Sequence, residues 1–220
     1  MLYGEHPIED ATLSHQAVWM ATMRKPVEIE LPQGSPCRPW QAIAEELSAE
    51  TNSKRVHELS QELNHALAKQ ELVDNALALM RSDFASLQML FPERGSSGEL
   101  RLLAFRGFEP EAAKFWEWVR ADSKSTCGVA LQDKKRVVAS DIARCDFMLG
   151  SDDQQVYLET GIRACQTTPL IGCDGNVIGM ISTHWRTPHK SSEEDLRLFD
   201  TLARQAAEFI ECCKRDGDLP

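Results

Sequence analysis

The sequence predicts an α+β domain in which one antiparallel sheet carries two long helices on one face. Two long stretches, one before and one after the middle of the chain, repeat apolar residues every three or four positions, as amphipathic helices do. Between them lie pairs of short apolar runs, and one pair meets at Asp174-Gly175, a dipeptide typical of tight hairpin turns. Hairpins build antiparallel sheets, whose one face the two helices can cover. We therefore expect one central sheet and a single core.

The composition is that of a folded, acidic protein. The 220 residues include 24 Lys and Arg against 34 Asp and Glu, a net charge of -10, and 42% are hydrophobic. These fractions are near globular averages and exclude a disordered or collagen-like chain. The acidic balance argues against a nucleic-acid partner and against binding to an anionic membrane.

Nothing in the sequence directs the chain to a membrane or out of the cell. No apolar stretch approaches the ~20 residues of a membrane span. The first residues lack the cationic start and apolar core of a secretory signal. The 7 cysteines are an odd number and form no C-x-x-C pair. We expect a reduced, cytoplasmic protein in which most cysteines pack as small apolar residues.

The domain is expected to span residues 41–215, preceded by an arm or linker and followed by a short tail at 216–220. Residues 1–40 carry half of the 10 prolines and no long helical period, so their role is unassigned. Within them Val27–Leu31 alternates apolar and charged residues between two prolines, which predicts at most a brief edge strand.

The first half of the domain is expected to contain a helix, a hairpin, a second helix and a short strand. The helical pattern runs from Trp40 to Met80, and the later helix follows a proline at the position that helices favour for it. The remaining predicted elements, in chain order, are the hairpin strands Phe84–Phe91 and Leu100–Phe105, the helix Glu111–Val119 and the strand Val137–Ser140.

The second half is expected to contain a short helix, a second hairpin and a long final helix. The helix is predicted over Asp152–Thr160, and the hairpin strands over Ile162–Ile171 and Val177–Trp185. Ser191–Asp195 resembles a capping box, with acidic residues at the positive end of the helix that follows. From Leu196 onward the apolar positions form one continuous stripe.

Short motifs for phosphate, dinucleotide, zinc or acyl chemistry are absent from the sequence. The possible metal ligands are Cys165, Cys173, His184 and His189. Because Pro188 breaks the chain between the histidines and a plain hairpin does not bring all four together, we predict no metal site. No cofactor is indicated.

Two histidines on the first long helix raise the possibility of phosphorylation. A phosphoacceptor histidine of a kinase also lies on a helix, but no ATP-binding domain follows His57 and His65. We interpret both as solvent-facing side chains.

Cys127 is the best candidate nucleophile. It precedes Gly128 and follows the polar loop 122–126, where a thiol could face a cleft. Nucleophilic catalysis needs a thiolate beside a base, and no histidine lies within about fifty residues along the chain. His184 could approach only through the fold. The favoured interpretation is a packing or pocket-wall residue.

Three aromatic residues close together mark a possible ligand cavity. Phe115, Trp116 and Trp118 cannot all point in one direction from a helix, so some must be buried and another exposed. Asp141 is placed to cap a turn, and Phe147 in the same loop could close over a cleft. A mostly apolar cavity with a few polar groups suits a small molecule, although core filling is the plainer explanation.

Several separate sequence segments, in the same order along the chain, resemble those of a GAF domain, the small-molecule sensory module of bacterial signalling proteins. The resemblance spans about Val56 to Cys213 and is to the members found beside PAS domains and histidine kinases. The segments are Ser82-Asp83-Phe84-Ala85, Gly98 to Phe108, Ser125 to Leu131, Arg136 to Ile142, Gly161 to Leu170 and Gly179 to Trp185.

The resemblance implies a sheet of five or six strands with terminal helices on one face and a ligand pocket under loops and short helices on the other. The pocket positions that it suggests are Phe84, Trp116, Cys127, Val138, Asp141, Phe147, Gln166 and His184. The N-K-x-F-D-E pattern of cyclic-nucleotide binders and the adjacent Cys-His of tetrapyrrole binders are both absent.

The function expected from the resemblance is that of a non-enzymatic sensor without catalytic residues. A small molecule of unknown identity, or a redox change at Cys127, would alter the packing of the terminal helices. The helices would relay that change across a homodimer to a histidine kinase or another signalling output. The alternative is a cysteine-dependent reductase of a small oxidised substrate, because the free methionine sulfoxide reductases share the fold and a Cys-Gly at this loop. Neither Cys145 nor Cys165 reproduces their other redox cysteine. A scaffold with a filled core is the third hypothesis.

Overall fold

A computed structural model describes residues 40–215, which form six strands and six α-helices. The helices are α1 (Trp40–Ala49), α2 (Ser53–Met80), α3 (Pro110–Phe115), α4 (Thr126–Asp133), α5 (Asp152–Glu159) and α6 (Glu193–Arg215). The strands are β1 (Phe84–Phe91), β2 (Glu99–Arg106), β3 (Trp118–Arg120), β4 (Val137–Ala139), β5 (Ala164–Ile171) and β6 (Val177–Trp185). The predicted tail and the predicted arm, apart from Trp40, lie outside the described residues.

The strands form one sheet in the order β3-β2-β1-β6-β5-β4, and every neighbouring pair is antiparallel. The predicted α+β fold with a central antiparallel sheet of five or six strands is therefore confirmed. Both predicted hairpins are present, and Gly175 adopts φ 78° in the turn of the second. An L residue with a side chain avoids this backbone region, which explains glycine there.

The long helices α2 and α6 cover one face of the sheet, called the helix side below. Val73 and Met80 of α2 and Phe199 and Ile210 of α6 are buried in one core with strand residues such as Leu87. In the last turns of α2 and along α6 the buried residues recur at three- or four-residue steps, as Val73, Ala76 and Met80 do, whereas Leu67 of α2 is 41% exposed.

The opposite face of the sheet, called the site side, is covered by α3, α4, α5 and the connecting loops. Trp116, Ala130 and Tyr157 from these segments share a second core with the strand residues Phe84 and Met180. Since side chains alternate along a strand, each central strand supplies residues to both cores. The two cores are therefore separated only by the single layer of the sheet.

Two helix boundaries differ from the prediction. The pattern from Trp40 to Met80 is two helices, because Asn52 accepts hydrogen bonds from the main-chain nitrogens of Lys54 and Arg55 and so starts a new helix. The helix expected over Glu111–Val119 ends at Phe115, and Trp118–Arg120 instead pairs with β2. Strand pairing thus takes the place of the last helical turn.

Two helix starts illustrate how local hydrogen bonds set the elements. The expected capping box is present, because Ser192 and Asp195 exchange main-chain and side-chain hydrogen bonds of 3.2 and 3.1 Å at the start of α6. Helix α4 was not predicted. Its N-cap is Ser125, whose hydroxyl accepts a 3.1 Å bond from the main-chain nitrogen of Gly128, so Cys127 lies on a helix and not in a loop.

Candidate functional site

Four aromatic side chains form a closed cluster on the site side, called the aromatic quartet. They are Phe108 after β2, Trp116 at the end of α3, Tyr157 on α5 and His184 on β6. Phe108 lies with its ring centre 5.5 Å from that of Trp116 and 5.2 Å from that of His184. Tyr157 lies 4.6 Å from Trp116 and 6.0 Å from His184. Trp116 and His184 therefore each contact the same two rings.

Two ring nitrogens of the quartet have no hydrogen-bond partner within the described part of the chain. They are Nε1 of Trp116 and Nδ1 of His184, and these side chains belong to residues only 6% and 2% exposed. Buried polar atoms are normally paired, since an unpaired one costs about 1–3 kcal/mol. The quartet thus contains a donor from tryptophan and a second polar nitrogen that are available to another molecule.

Burial keeps the His184 imidazole neutral. Desolvation lowers the pKa of His184 to about 3, while a hydrogen bond to the backbone of Phe84 acts in the opposite direction. A neutral imidazole donates a hydrogen bond through one ring nitrogen and accepts one through the other, so the unpaired Nδ1 can serve in either role.

Next to the quartet lies a buried network of hydroxyl and thiol groups. The hydroxyl of Thr167 lies 2.7 Å from that of Thr126 and 2.8 Å from that of Ser182. Two thiols join it: Cys165 Sγ lies 2.9 Å from the Thr126 hydroxyl, and Cys127 Sγ lies 3.4 Å from the Ser182 hydroxyl. Each hydroxyl can donate and accept, so the network satisfies itself.

The two thiols of this network are poorly suited to nucleophilic chemistry at neutral pH. Desolvation raises the pKa of Cys127 and raises that of Cys165 to about 12. The thiolate is the reactive form of cysteine, and these environments favour the thiol. Cys127 is also buried on α4, which differs from the polar loop facing a cleft that its sequence neighbours predicted.

The structure brings four of the eight predicted pocket residues into or against the aromatic quartet and the adjoining network. Phe84 stacks on Phe108 at 5.6 Å and lies opposite His184 in the β1–β6 register. Trp116 and His184 belong to the quartet, and Cys127 belongs to the adjoining network. Of the three neighbouring aromatics, Trp116 is buried on the site side, Phe115 is 43% exposed and Trp118 packs on the helix side. The expected divergence of the three rings is confirmed.

Val138 and Gln166 lie on the helix side instead. Cys165 and Thr167 point to the site side, so alternation directs Gln166 between them to the opposite face. Val138 pairs with Gln166 across the β4–β5 register and shares that face, where it is 43% exposed. A shift of one residue in a strand changes the face, which is why neither joins the quartet.

Asp141 and Phe147 lie away from the quartet. Asp141 caps the turn Ile142–Arg144 by accepting a bond from the main-chain nitrogen of Ala143, as predicted, and it pairs with Arg163 at 3.1 Å. Hydrogen bonding to Arg163 lowers the pKa of the Asp141 carboxyl. Phe147 packs against the edge of the site-side core and lies beside an open groove of about 1050 Å³, together with Leu90 and Val177 at the far end of β1 and β6.

The groove differs in character from the quartet. It is lined by apolar residues and by charges of both signs, among them Asp122, Lys124 and Lys134. Leu90 lies next to the last residue of β1 whereas Phe84 begins the strand, so the groove and the quartet lie near opposite ends of β1. The mixed charges indicate a solvated depression.

Sequence reasoning missed Phe108, Tyr157, Thr167 and Ser182 as site residues. Tyr157 lies on a short helix with little apolar periodicity, and Phe108 lies in a connection. Alternation within β5 and β6 could have placed Thr167 and Ser182 opposite one another, since they are paired in the register.

Neither metal coordination nor membrane insertion is indicated by residues 40–215. No group of three or more His, Cys, Asp or Glu side chains in this range could hold a metal ion. No helix in this range has both the length and the apolar character needed to cross a bilayer.

Comparison with family models identifies one family. The family model of the GAF domain matches residues 68–211. A methyl sulfide methyltransferase-associated sensor of Methanosarcina acetivorans is 28% identical over 89 residues, which is 40% of this chain and 9% of that protein. This match thus spans only a small part of the curated relative.

Two solved structures share the fold at low identity. A domain of a two-component sensor histidine kinase protein from Sinorhizobium meliloti aligns at TM-score 0.54 and 16% identity, covering 77% of this chain and 98% of that one. A type II free methionine-R-sulfoxide reductase from Thermoplasma acidophilum aligns at TM-score 0.50 and 17% identity, covering 66% and 94%. Sensors and an enzyme thus share this architecture.

Proposed function

The chain belongs to the GAF domain family, and we propose that it is a sensory domain that binds a small molecule at the aromatic quartet. In this proposal the bound molecule changes how α2 and α6 pack on the other side of the sheet. The domain acts through this change of packing and turns over no substrate.

The observation that carries the proposal is the pair of unpaired ring nitrogens in a buried aromatic cluster. Trp116 Nε1 and His184 Nδ1 lie where water is excluded, and a molecule with complementary groups would pair with both. Ring centres within 4.6–6.0 Å mean that the quartet is closed, so the rings must separate to admit a ligand. Binding therefore requires movement of α3 or α5.

A short covalent path connects the quartet to the helix side. His184 on the site side is followed by Trp185, which points to the helix side and donates from Nε1 to the carbonyl of Met80 at 3.3 Å. Met80 is the last residue of α2, and its side chain lies in the same core as Phe199 of α6. A shift of β6 at His184 would thus reach both terminal helices. A ligand can drive such a shift only by binding one arrangement more tightly than the other.

We infer that the output is reached through the terminal helices, in a homodimer. Leu67 on α2 and Leu198 on α6 are 41% and 49% exposed, so both helices carry apolar side chains that this domain does not bury. A second copy would cover such positions, and a histidine kinase or another signalling protein would receive the change.

The alternative of a cysteine-dependent reductase has weaker support. The shared fold with a sulfoxide reductase and the Cys127-Gly128 pair favour it. The raised pKa values and the burial of Cys127 and Cys165 oppose it, because reduction by a thiol begins with thiolate attack. The same properties make Cys127 a poor redox sensor in this closed state.

Native mass spectrometry of the freshly purified full chain tests the proposal. We expect a dimer that carries a small molecule, and we expect that molecule to be lost in Trp116→Phe. Val138→Ala, which alters an exposed residue on the helix side, is the matched control and should retain it. A wild-type chain with no bound molecule would contradict ligand binding, and a chain that stays monomeric at high concentration would contradict the dimer.

A further inference from the structure

Resting on the proposed function, the structure assigns to the aromatic quartet an uncharged, flat ligand with a hydrogen-bond acceptor for Trp116 and a second polar group for His184, that is, a compact nitrogen heteroaromatic. The inference follows from the charge, the unpaired atoms and the shape of the residues around the site.

Charge is the first argument. Among the buried residues of the described chain there is no Asp, Glu, Lys or Arg. An ionised ligand would lose its hydration at the quartet without gaining an opposite charge, which is strongly unfavourable. Arg186 lies with its guanidinium carbon 4.5 Å from the centre of the Phe84 ring, but its side chain is exposed and its charge is solvated. Carboxylates, phosphates and ammonium groups are therefore excluded.

The unpaired atoms give the second argument. Trp116 Nε1 can only donate, so the ligand must offer an acceptor. His184 is a neutral imidazole whose buried Nδ1 is unpaired, so the ligand must offer a second polar group, a donor or an acceptor, to pair with it. A purely apolar ligand would leave both atoms unpaired, and it would bind more weakly for that reason.

The third argument is shape. Trp116 and His184 each contact both Phe108 and Tyr157, so opening the quartet for a ligand breaks ring–ring contacts. Aromatic rings prefer offset-stacked or edge-to-face neighbours at 4.5–7 Å. A flat aromatic ring inserted among the four would restore such contacts on its faces and edges, which an aliphatic chain would not do.

Calorimetric titration of the full chain with three bicyclic probes of similar size tests the inference. Indazole is neutral and carries a donor beside an acceptor, indene is neutral without either, and indazole-3-carboxylate is an anion. We expect indazole to bind, indene to bind at least tenfold more weakly, and the carboxylate to bind at least a hundredfold more weakly. Trp116→Phe should weaken indazole about tenfold more than it weakens indene, because only indazole can accept the hydrogen bond from Nε1.

Trp118→Phe is the matched control, because it makes the same substitution on the helix side and should leave all three affinities unchanged. Equal binding of indazole and indene would overturn the inference, as would tighter binding of the carboxylate or no binding of indazole. Co-purification of an anion would overturn the inference alone and leave the proposed sensory function standing. A chain that carries no molecule and binds no probe would count against both.

Discussion

The burial of His184 predicts a loss of stability in mild acid. The residue is 2% exposed, and desolvation lowers its pKa to about 3, against 6.5 for the ordinary side chain. Between these values the unfolded chain binds a proton that the folded chain refuses. The contribution of His184 to the free energy of unfolding is therefore fully present above pH 6.5, and it decreases as the pH is lowered toward 3.

The size of the effect follows from linkage. One proton of difference between the two states lowers the free energy of unfolding by about 1.4 kcal/mol per pH unit. With the pKa values above, lowering the pH from about 7 to about 5 should cost the folded state roughly 2 kcal/mol through His184 alone.

Urea unfolding at several pH values measures this contribution. The slope of stability against pH between about 5 and 6.5 should be lower in His184→Gln than in the wild type by about 1 kcal/mol per unit. His57→Gln replaces an exposed histidine and should run parallel to the wild type. If His184→Gln folds poorly, titration of the wild-type His184 ring by NMR gives the same answer. Parallel curves for His184→Gln and wild type, or a His184 ring that titrates near 6.5, would refute the reasoning.

Three further predictions concern packing and polar contacts. A Cβ at Gly128 would lie 2.4 Å from a carbonyl oxygen of the preceding loop, so Gly128→Ala should lower the free energy of unfolding in urea by about 3 kcal/mol. A Cβ at Gly172 would meet side-chain atoms that can move, so Gly172→Ala should lower it by less than about 1 kcal/mol. Equal losses in the two variants would contradict this reasoning. Asp74→Ala breaks the ion pair between Asp74 and Arg106, whose side chains are 40% and 41% exposed respectively. The substitution should lower the free energy of unfolding by less than about 1 kcal/mol, and by nothing in 1 M salt, because salt screens exposed charges. A larger loss that does not depend on salt would contradict this. Trp185→Phe removes the hydrogen bond from the indole to the Met80 carbonyl in the last turn of α2, and it should lower the free energy of unfolding by about 1–2 kcal/mol. Amide hydrogen exchange in that turn should become faster. Unchanged exchange would show that Trp185 does not couple β6 to α2.

Most of the fold could be predicted from sequence because its signals are local. The hairpin turn at Asp174-Gly175 and the capping box at Ser192 depend on residues within a few positions of one another, and both are present. Helix α4 escaped prediction because Gly128 near its start lowers helix propensity. Its cap, Ser125, was the available signal.

The site could be predicted only in part because its members meet through long-range register. Trp116 and His184 have unmistakable side chains, but nothing local reveals that Phe108 and Tyr157 join them. Gln166 lies one residue from the network position Cys165, and this single step moves it to the helix side. The unpaired state of two ring nitrogens is a property of the assembled core and has no counterpart in the sequence.

The central claim is that a ligand bound at the quartet changes the packing of α2 and α6. Hydrogen exchange measured by mass spectrometry tests this claim most directly. The full chain as purified is compared with the same chain refolded after removal of small molecules. The account predicts faster exchange in the refolded chain both in α3 and α5, which carry Trp116 and Tyr157 at or near their ends, and in the last turns of α2 and the facing part of α6, with α1 unchanged. Identical exchange in α2 and α6 in the two preparations would contradict it.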